Sequence, residues 1–460
     1  MRMVRLSIAI SLWCLACLAG SATDQPETSR AIHVRGPDYD GIDDTTKLAL
    51  PWPAGGPRIL WKRALGQGFS GFIIVGSKVF TQIQKRSGQY VVCLDLLTGR
   101  TIWQTLYDWP WQFDGAWPGP YATPTYADGR VFFSGAQGLV GCCDAVSGRL
   151  VWTRNIITEF KGKGMYFGFA HTPLVISGLV YIPAGGTNAA VVALNARDGT
   201  VFWKSGSESA SYSSSIPIVS GGQTQIVSFL EIATMAHDPA TGKQLWYNIW
   251  GSGYCAHGTW PIFKEPYLFR TVPFQRGCRV DKVVRNPGGY ALEPVWQNEE
   301  LSGDFATPVI VDQKVYGFDV KSTQVDRKAR TPGEFVCLDL LTGKTCWRTE
   351  ATGHSSVIAC GDKLLLLNEH GTLIVAELSP REYRELARAA ILPGEVCWSP
   401  PTLLNGFLLI RGRKHVVCLF VGEHPPAVAV DGQVSWRDTE NWFDRYQSKA
   451  MWAPGIKDLL

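Results

Sequence analysis

An all-β fold, an eight-bladed propeller of four-stranded antiparallel blades, is what this sequence predicts, and three observations predict it. First, a strand–turn–strand signature recurs as VVCLDLLTGRTIW (91–103), VGCCDAVSGRLVW (140–152), VVALNARDGTVFW (191–203), MAHDPATGKQLW (235–246) and FVCLDLLTGKTCW (335–347). Second, Thr/Ser-Pro elements alternate with these copies: ATPTYADGRVFFSG (122–135), HTPLVISGLVYIPAG (171–185) and ATPVIVDQKVYGFD (306–319). A full unit then carries four short strands over about 42 to 51 residues, the period of a propeller blade. Third, PRILWKRAL (57–65) carries Trp61 but lacks a hairpin partner, while the last unit, ending in HVVCLF at residue 420, is one strand short. Pairing the two closes the ring and removes both open sheet edges. A stack that does not close is the alternative.

Within each signature the acid or amide lies four residues before a glycine: Asp95/Gly99, Asp144/Gly148, Asn195/Gly199, Asp238/Gly242 and Asp339/Gly343. Asp and Asn bond the amides of a tight turn, and glycine takes its left-handed position. A tryptophan follows four residues later (Trp103, Trp152, Trp203, Trp246, Trp347), placed to pack one strand's face against the neighbouring unit. Weaker units fill the gaps. TWPIFKEPYLFR leads to Trp296 without the Asp–Gly turn, and SSVIACGDKLLLLNEHGTLIVAEL leads to REYRELARAAIL with no tryptophan. The propeller therefore spans 57–421, between a leader (23–56) and a C-terminal extension (422–460) whose SWRDTENWFDRY has amphipathic helical spacing.

The first 22 residues, MRMVRLSIAISLWCLACLAGSA, form a secretory signal pattern: Arg2 and Arg5, an apolar run from Leu6 to Ala19, then small residues. That run is too short for a comfortable membrane span. Cys17 after Leu15-Ala16 opens a lipoprotein reading, but Cys14 stands where such signals carry an aliphatic residue. The expectation is an exported, monomeric chain that does not span a membrane. Without the two signal arginines, 42 basic residues face 40 acidic ones, which is no electrostatic footprint for nucleic acid.

Ten cysteines remain after the signal. Cys142 and Cys143 read either as a redox-active vicinal pair or as two ordinary strand residues. Register favours the second: Cys142 aligns with Cys93, Cys337 and Cys418, and Cys143 with Leu94 and Leu338 on the opposite face. Cys255 and Cys278 lie in an irregular blade and are a candidate disulfide in an oxidising compartment.

Conventional catalytic motifs are absent. GQGFSG (66–71) matches a dinucleotide fingerprint, but a strand follows it rather than a helix. The better signal is positional. Residues just before each inner strand converge on one mouth of a propeller, and there they include Tyr121, His171, Ser214, His257, Asp304, His354 and Trp398, with Trp111 and Trp117 in an aromatic loop above. Such a rim suits a polar ligand stacked on aromatic faces, or simply solvates strand starts. His171, His257 and His354 come from well-separated blades, so no metal site is expected; Glu208 and Asp304 are the nearest calcium candidates.

The V-x-A-L-D-x-x-T-G-x-x-x-W pattern resembles the repeat of pyrroloquinoline-quinone (PQQ)-like propellers. Leader residues 35–61 and the element 381–392 resemble a group of secreted bacterial members, more distantly related to BamB-type proteins and quinoprotein dehydrogenases. One reading is a non-catalytic exported scaffold presenting its rim or face to a protein or glycan partner, with no cofactor expected. The dehydrogenase likeness implies PQQ and calcium acting on alcohols, for which Asp304 is the closest base. In that family the vicinal disulfide lies in a loop near the quinone, outside this repeat register. The absence of a matching ligand set favours the scaffold.

Overall fold

The computed structural model describes residues 32–112, 117–163, 165–321 and 333–423; the expected signal segment with Cys17 and nearly all of the C-terminal extension lie outside them. Eight four-stranded antiparallel sheets follow one another along the chain, the seventh carrying one further short strand. Blades 1 to 8 begin at residues 73, 125, 174, 216, 262, 309, 355 and 402. Closure is as the split strand requires. Arg58–Ala64 forms the outer strand of blade 8, antiparallel to His415–Phe420, with Trp61 opposite Cys418.

The blades are alike because the same local chemistry is repeated. Asp95 Oδ1 accepts from the Thr98 amide (2.8 Å) and hydroxyl (2.7 Å), and Asp144, Asp238 and Asp339 hold Ser147, Thr241 and Thr342 in the same way. The glycine after each turn adopts positive φ, and the tryptophan of the preceding blade lies flat beneath it. Its indole then donates to a carbonyl of that turn: Trp61 to Leu96 (2.8 Å), Trp152 to Ala196 (3.0 Å), Trp203 to Pro239 (2.8 Å) and Trp296 to Leu340 (2.8 Å). Each such bond contributes about 1 kcal/mol besides the buried ring area. Blade 5 lacks the Asp–Gly turn, and Trp246 turns instead to Gln225 Oε1 of its own blade, at 2.7 Å.

Gly99 corrects the reading of the signature glycine as a turn residue alone. Its φ of +67° is the left-handed conformation the turn needs, but a Cβ there would also lie 2.6 Å from Trp61 Cδ2. Its carbonyl accepts from Arg63, on the same closing strand as Trp61. The glycine is therefore the seat for the previous blade's tryptophan. Trp103, four residues after Gly99 in the same signature, sits under Gly148 instead, so one signature serves two different interfaces.

Cys142 and Cys143 are both fully buried and part to opposite faces. Cys142 joins the core between blades 2 and 3, and Cys143 the core between blades 1 and 2. Burial pushes both thiols up to about 12, which leaves two inert apolar side chains. The expected Cys255–Cys278 bridge is not formed. Both are free thiols, with Cys278 Sγ set 3.3 Å from Asn298 Oδ1 and the Cys255 carbonyl accepting from the Tyr212 amide at 3.1 Å.

The leader packs against the blades. Its described part pairs with the inner strands of two blades. Ile32 bridges to Tyr126 on the inner strand of blade 2, and Ile42–Asp43 adds in parallel to the inner strand Ser355–Cys360 of blade 7. Arg35 donates to the carbonyls of Tyr39 (3.3 Å), Asp40 (2.8 Å), Thr307 (3.3 Å) and Pro308 (2.8 Å), and Asp40 pairs with Lys264 at 2.9 Å. Thr45 and Thr46 accept from the amides of Asn405 and Gly406. The leader thus ties blades 2, 5, 6, 7 and 8 together. No helix among the described residues is long and apolar enough to cross a membrane.

Candidate functional site

The upper face is where the chain passes from the outer strand of one blade to the inner strand of the next. Two residues before an inner strand, the backbone amide donates to a hydroxyl at the same position of the following blade. Gly71 donates to Thr123 Oγ1 (2.9 Å), Thr123 to Thr172 Oγ1 (3.2 Å), Thr172 to Ser214 Oγ (2.9 Å) and Trp260 to Thr307 Oγ1 (3.1 Å). The recurrent Thr-Pro is therefore a latch between blades: the hydroxyl satisfies a buried amide, and proline itself has none to satisfy. The signature turns that carry Asp95 and Gly99 join strands at the other, lower face and bring nothing to the mouth.

This geometry divides the nine expected rim residues. His171, Ser214 and His257 do not line an open mouth, since all three are fully buried. His171 Nε2 meets the Ser211 carbonyl, and burial drives its pKa down to about 4. His257 Nδ1 lies 2.9 Å from Ser252 Oγ, its ring centroid 4.2 Å from that of Phe229, and burial takes it to about 3. Both are neutral structural histidines, each buried against its own partners. Tandem position alone says nothing about which way a loop side chain turns.

The other six come together with four residues not anticipated: Phe69, Phe305, Glu369 and Arg413. Phe69 stacks with Tyr121 at 5.5 Å (11°) and with Trp398 at 5.3 Å (29°). Trp117 meets Trp398 edge-on at 5.8 Å, Trp111 meets Tyr121 at 6.1 Å, and Phe305 meets Trp398 at 6.0 Å. Arg413 lies over Trp117, 5.0 Å from its centroid. Trp111, Trp117, Tyr121, Phe305 and Trp398 are all partly exposed, and Trp109 beside them is 79% exposed. The rings form a continuous aromatic cap. Its missed members were legible only in part, Phe69 inside GQGFSG and Phe305 next to Asp304.

Beneath the cap, charges are paired off. His354 Nε2 lies 3.2 Å from Asp304 Oδ1, and Nδ1 3.9 Å from Glu369 Oε2. Its ring sits between Phe305 (4.7 Å) and Phe318 (4.8 Å). Burial pulls the imidazole pKa down, but the two carboxylates outweigh it and raise it to about 10, so His354 is held as a cation. Glu369 also accepts from Trp398 Nε1 at 3.3 Å, tying the ion cluster to the cap.

A closed ring of four-stranded blades, latched by tryptophan under an Asp–Gly turn, is what this chain shares with the PQQ-like β-propellers, and it is similar to that family over part of its length. Within it, the family model described as outer membrane protein assembly factor BamB matches residues 87–250. The outer membrane protein assembly factor BamB of Shewanella oneidensis is 26% identical over 275 residues, which cover 55% of this chain and 62% of that protein. The match thus spans less than two thirds of that relative's length. The crystal structure of BamB from Moraxella catarrhalis superposes with a TM-score of 0.56 at 14% identity, over 80% of this chain and 98% of that one. The quinohemoprotein alcohol dehydrogenase of Comamonas testosteroni also superposes with a TM-score of 0.56 at 14% identity, over 82% of this chain and 78% of that one. At such identity these likenesses speak to the fold alone.

Proposed function

We propose that this chain is an exported, non-catalytic scaffold that binds a protein partner through the aromatic upper face. The observation that carries the reading is the cap itself: partly exposed rings of tryptophan, tyrosine and phenylalanine with an arginine laid over them, on a rigid closed ring. Trp, Tyr and Arg are the residues enriched where protein interfaces carry most of their binding energy. The sequence likeness to BamB proteins supports the same class of role.

The residues at the mouth do not fit the alternative group, a calcium-bound quinone. Its metal needs a shell of oxygen ligands, and among the described residues no three His, Cys, Asp or Glu side chains are grouped to hold an ion. Asp304, the candidate base, is committed to His354 and to the Phe305 amide at 2.6 Å. Tyr121 and Trp398 are each already stacked on Phe69. The test is a melting curve with PQQ and calcium. A ligand at 100 times its Kd stabilises the folded state by about 2.7 kcal/mol. The scaffold reading expects an unchanged Tm; a clear rise that Asp304→Ala abolishes would overturn it.

A further inference from the structure

Blade 6 holds two free cysteines, Cys337 and Cys346. Cys337 sits on the strand Glu334–Asp339, opposite Trp347 of Thr345–Thr349, and the pairing shifts between Cys337/Trp347 and Leu338/Thr345. Cys346 is the extra residue of that β-bulge. In such a bulge two residues of one strand face a single residue of the other. Cys346 accordingly neighbours the Cys337 thiol, as a hydrogen-bonding and charged group. Every other signature hairpin has a different residue at this position: Ile102, Val151, Phe202 and Leu245. Blade 1 is nearly identical, LDLLTGRTIW against LDLLTGKTCW, so the second cysteine is a local difference rather than a demand of the repeat. Access is also built in, because Cys346 is the one exposed thiol among the described residues.

We propose that Cys337 and Cys346 close into a cross-strand disulfide when the chain meets an oxidising compartment. The proposal rests on the export reading for its setting, not for its geometry. The oxidant is a low-molecular-weight disulfide such as oxidised glutathione. The exposed Cys346 attacks one of its sulfurs, the reagent's S–S bond breaks, and one glutathione leaves as a thiol. Cys337 then attacks Cys346 Sγ and displaces the second glutathione. Two electrons pass from the cysteine pair to glutathione, and the two cysteine protons end on the two departing thiols. Burial, with Cys346 as its next neighbour, pushes the Cys337 thiol up to about 12, which makes Cys346 the first nucleophile and Cys337 the resolving one.

The full chain, purified with its thiols reduced, is incubated natively with oxidised glutathione and digested with trypsin without reductant. Cleavage after Lys344 separates the two cysteines, so a disulfide joins the peptide ending at Lys344 to Thr345–Arg348. The expected result is that joined pair, two hydrogens lighter than its parts and split by reductant. Cys337→Ala stops at a stable glutathione adduct on Cys346, and Cys346→Ala gives neither product. A persistent adduct on Cys346 in the unmutated chain would overturn the proposal, as would equally fast closure in the urea-unfolded chain. Chain isolated from exporting cells provides a separate reading. If its pair is reduced there but closes with glutathione in vitro, the export reading fails while the site stands.

Discussion

Replacing Gly148 by alanine tests the latch between blades, with Gly129→Ala as its control. Both glycines have left-handed backbone, φ +73° at Gly148 and +74° at Gly129, so both substitutions carry the same strain of about 1 kcal/mol. They differ in what the new Cβ meets. At Gly148 it would lie 2.6 Å from Trp103 Cδ2 and 2.9 Å from Thr105 Oγ1; at Gly129 nothing lies within 4 Å. Overlap in a packed interior adds about 1–3 kcal/mol, giving about 1 kcal/mol for Gly129→Ala against about 2–4 kcal/mol for Gly148→Ala. At about 2 °C per kcal/mol for a large domain, thermal unfolding followed by circular dichroism should show losses of about 2 °C and about 4–8 °C. Adding Trp103→Ala to Gly148→Ala removes the overlap, so the double variant should lose less than the sum of the singles. Equal losses at Gly129 and Gly148, or strict additivity with Trp103→Ala, would refute the latch.

Arg35→Ala should lower stability by at least about 1.5 kcal/mol, because four carbonyls lose their charged donor; an unchanged urea midpoint would show that the leader does not tie the blades. Burial holds His171 and His237 down at about 4 and His257 at about 3. The folded ring keeps them neutral while the unfolded chain protonates them below about 6.5, so stability should fall as pH drops from about 6.5 towards 4. His257→Gln should make that acid limb shallower in a Tm–pH profile. His354 behaves oppositely: raised to about 10, its contribution is complete below about 6.5 and fades as pH rises towards 10. His354→Gln should therefore lower Tm at pH 6 and flatten the alkaline limb.

What the sequence made legible was whatever is local and repeated. The Asp–Gly turn, the tryptophan four residues on and the unpaired strand at Trp61 each carry their own partner requirement, and the ring follows from satisfying them. Which tryptophan each glycine seats was not legible, since Gly99 meets Trp61 across the ring's closure rather than its neighbour in sequence, Trp103. The fates of Cys142 and Cys143 followed from register alone. The leader's path was hidden, because Ile42 against Ala359 and Thr46 against Gly406 join residues more than 300 positions apart without any motif. The rim was half legible for a related reason. Sequence position places His171, His257 and His354 near one face, but burial turns the first two inward, and only His354 finds two carboxylates. The nearness of Cys337 and Cys346 was not legible, because it depends on a bulge that exists only once the two strands pair.

Photo-crosslinking from the cap tests the central claim most directly. A crosslinking residue placed at Trp109, on the upper face, is compared in exporting cells with one at Gly129, a tight turn on the lower face. The account predicts a discrete protein adduct from position 109, lost when Trp398→Ala and Phe69→Ala dismantle the cap without unfolding the ring, and no such adduct from position 129. Identical adducts from both faces, or an adduct from position 109 that survives loss of the cap, would contradict it.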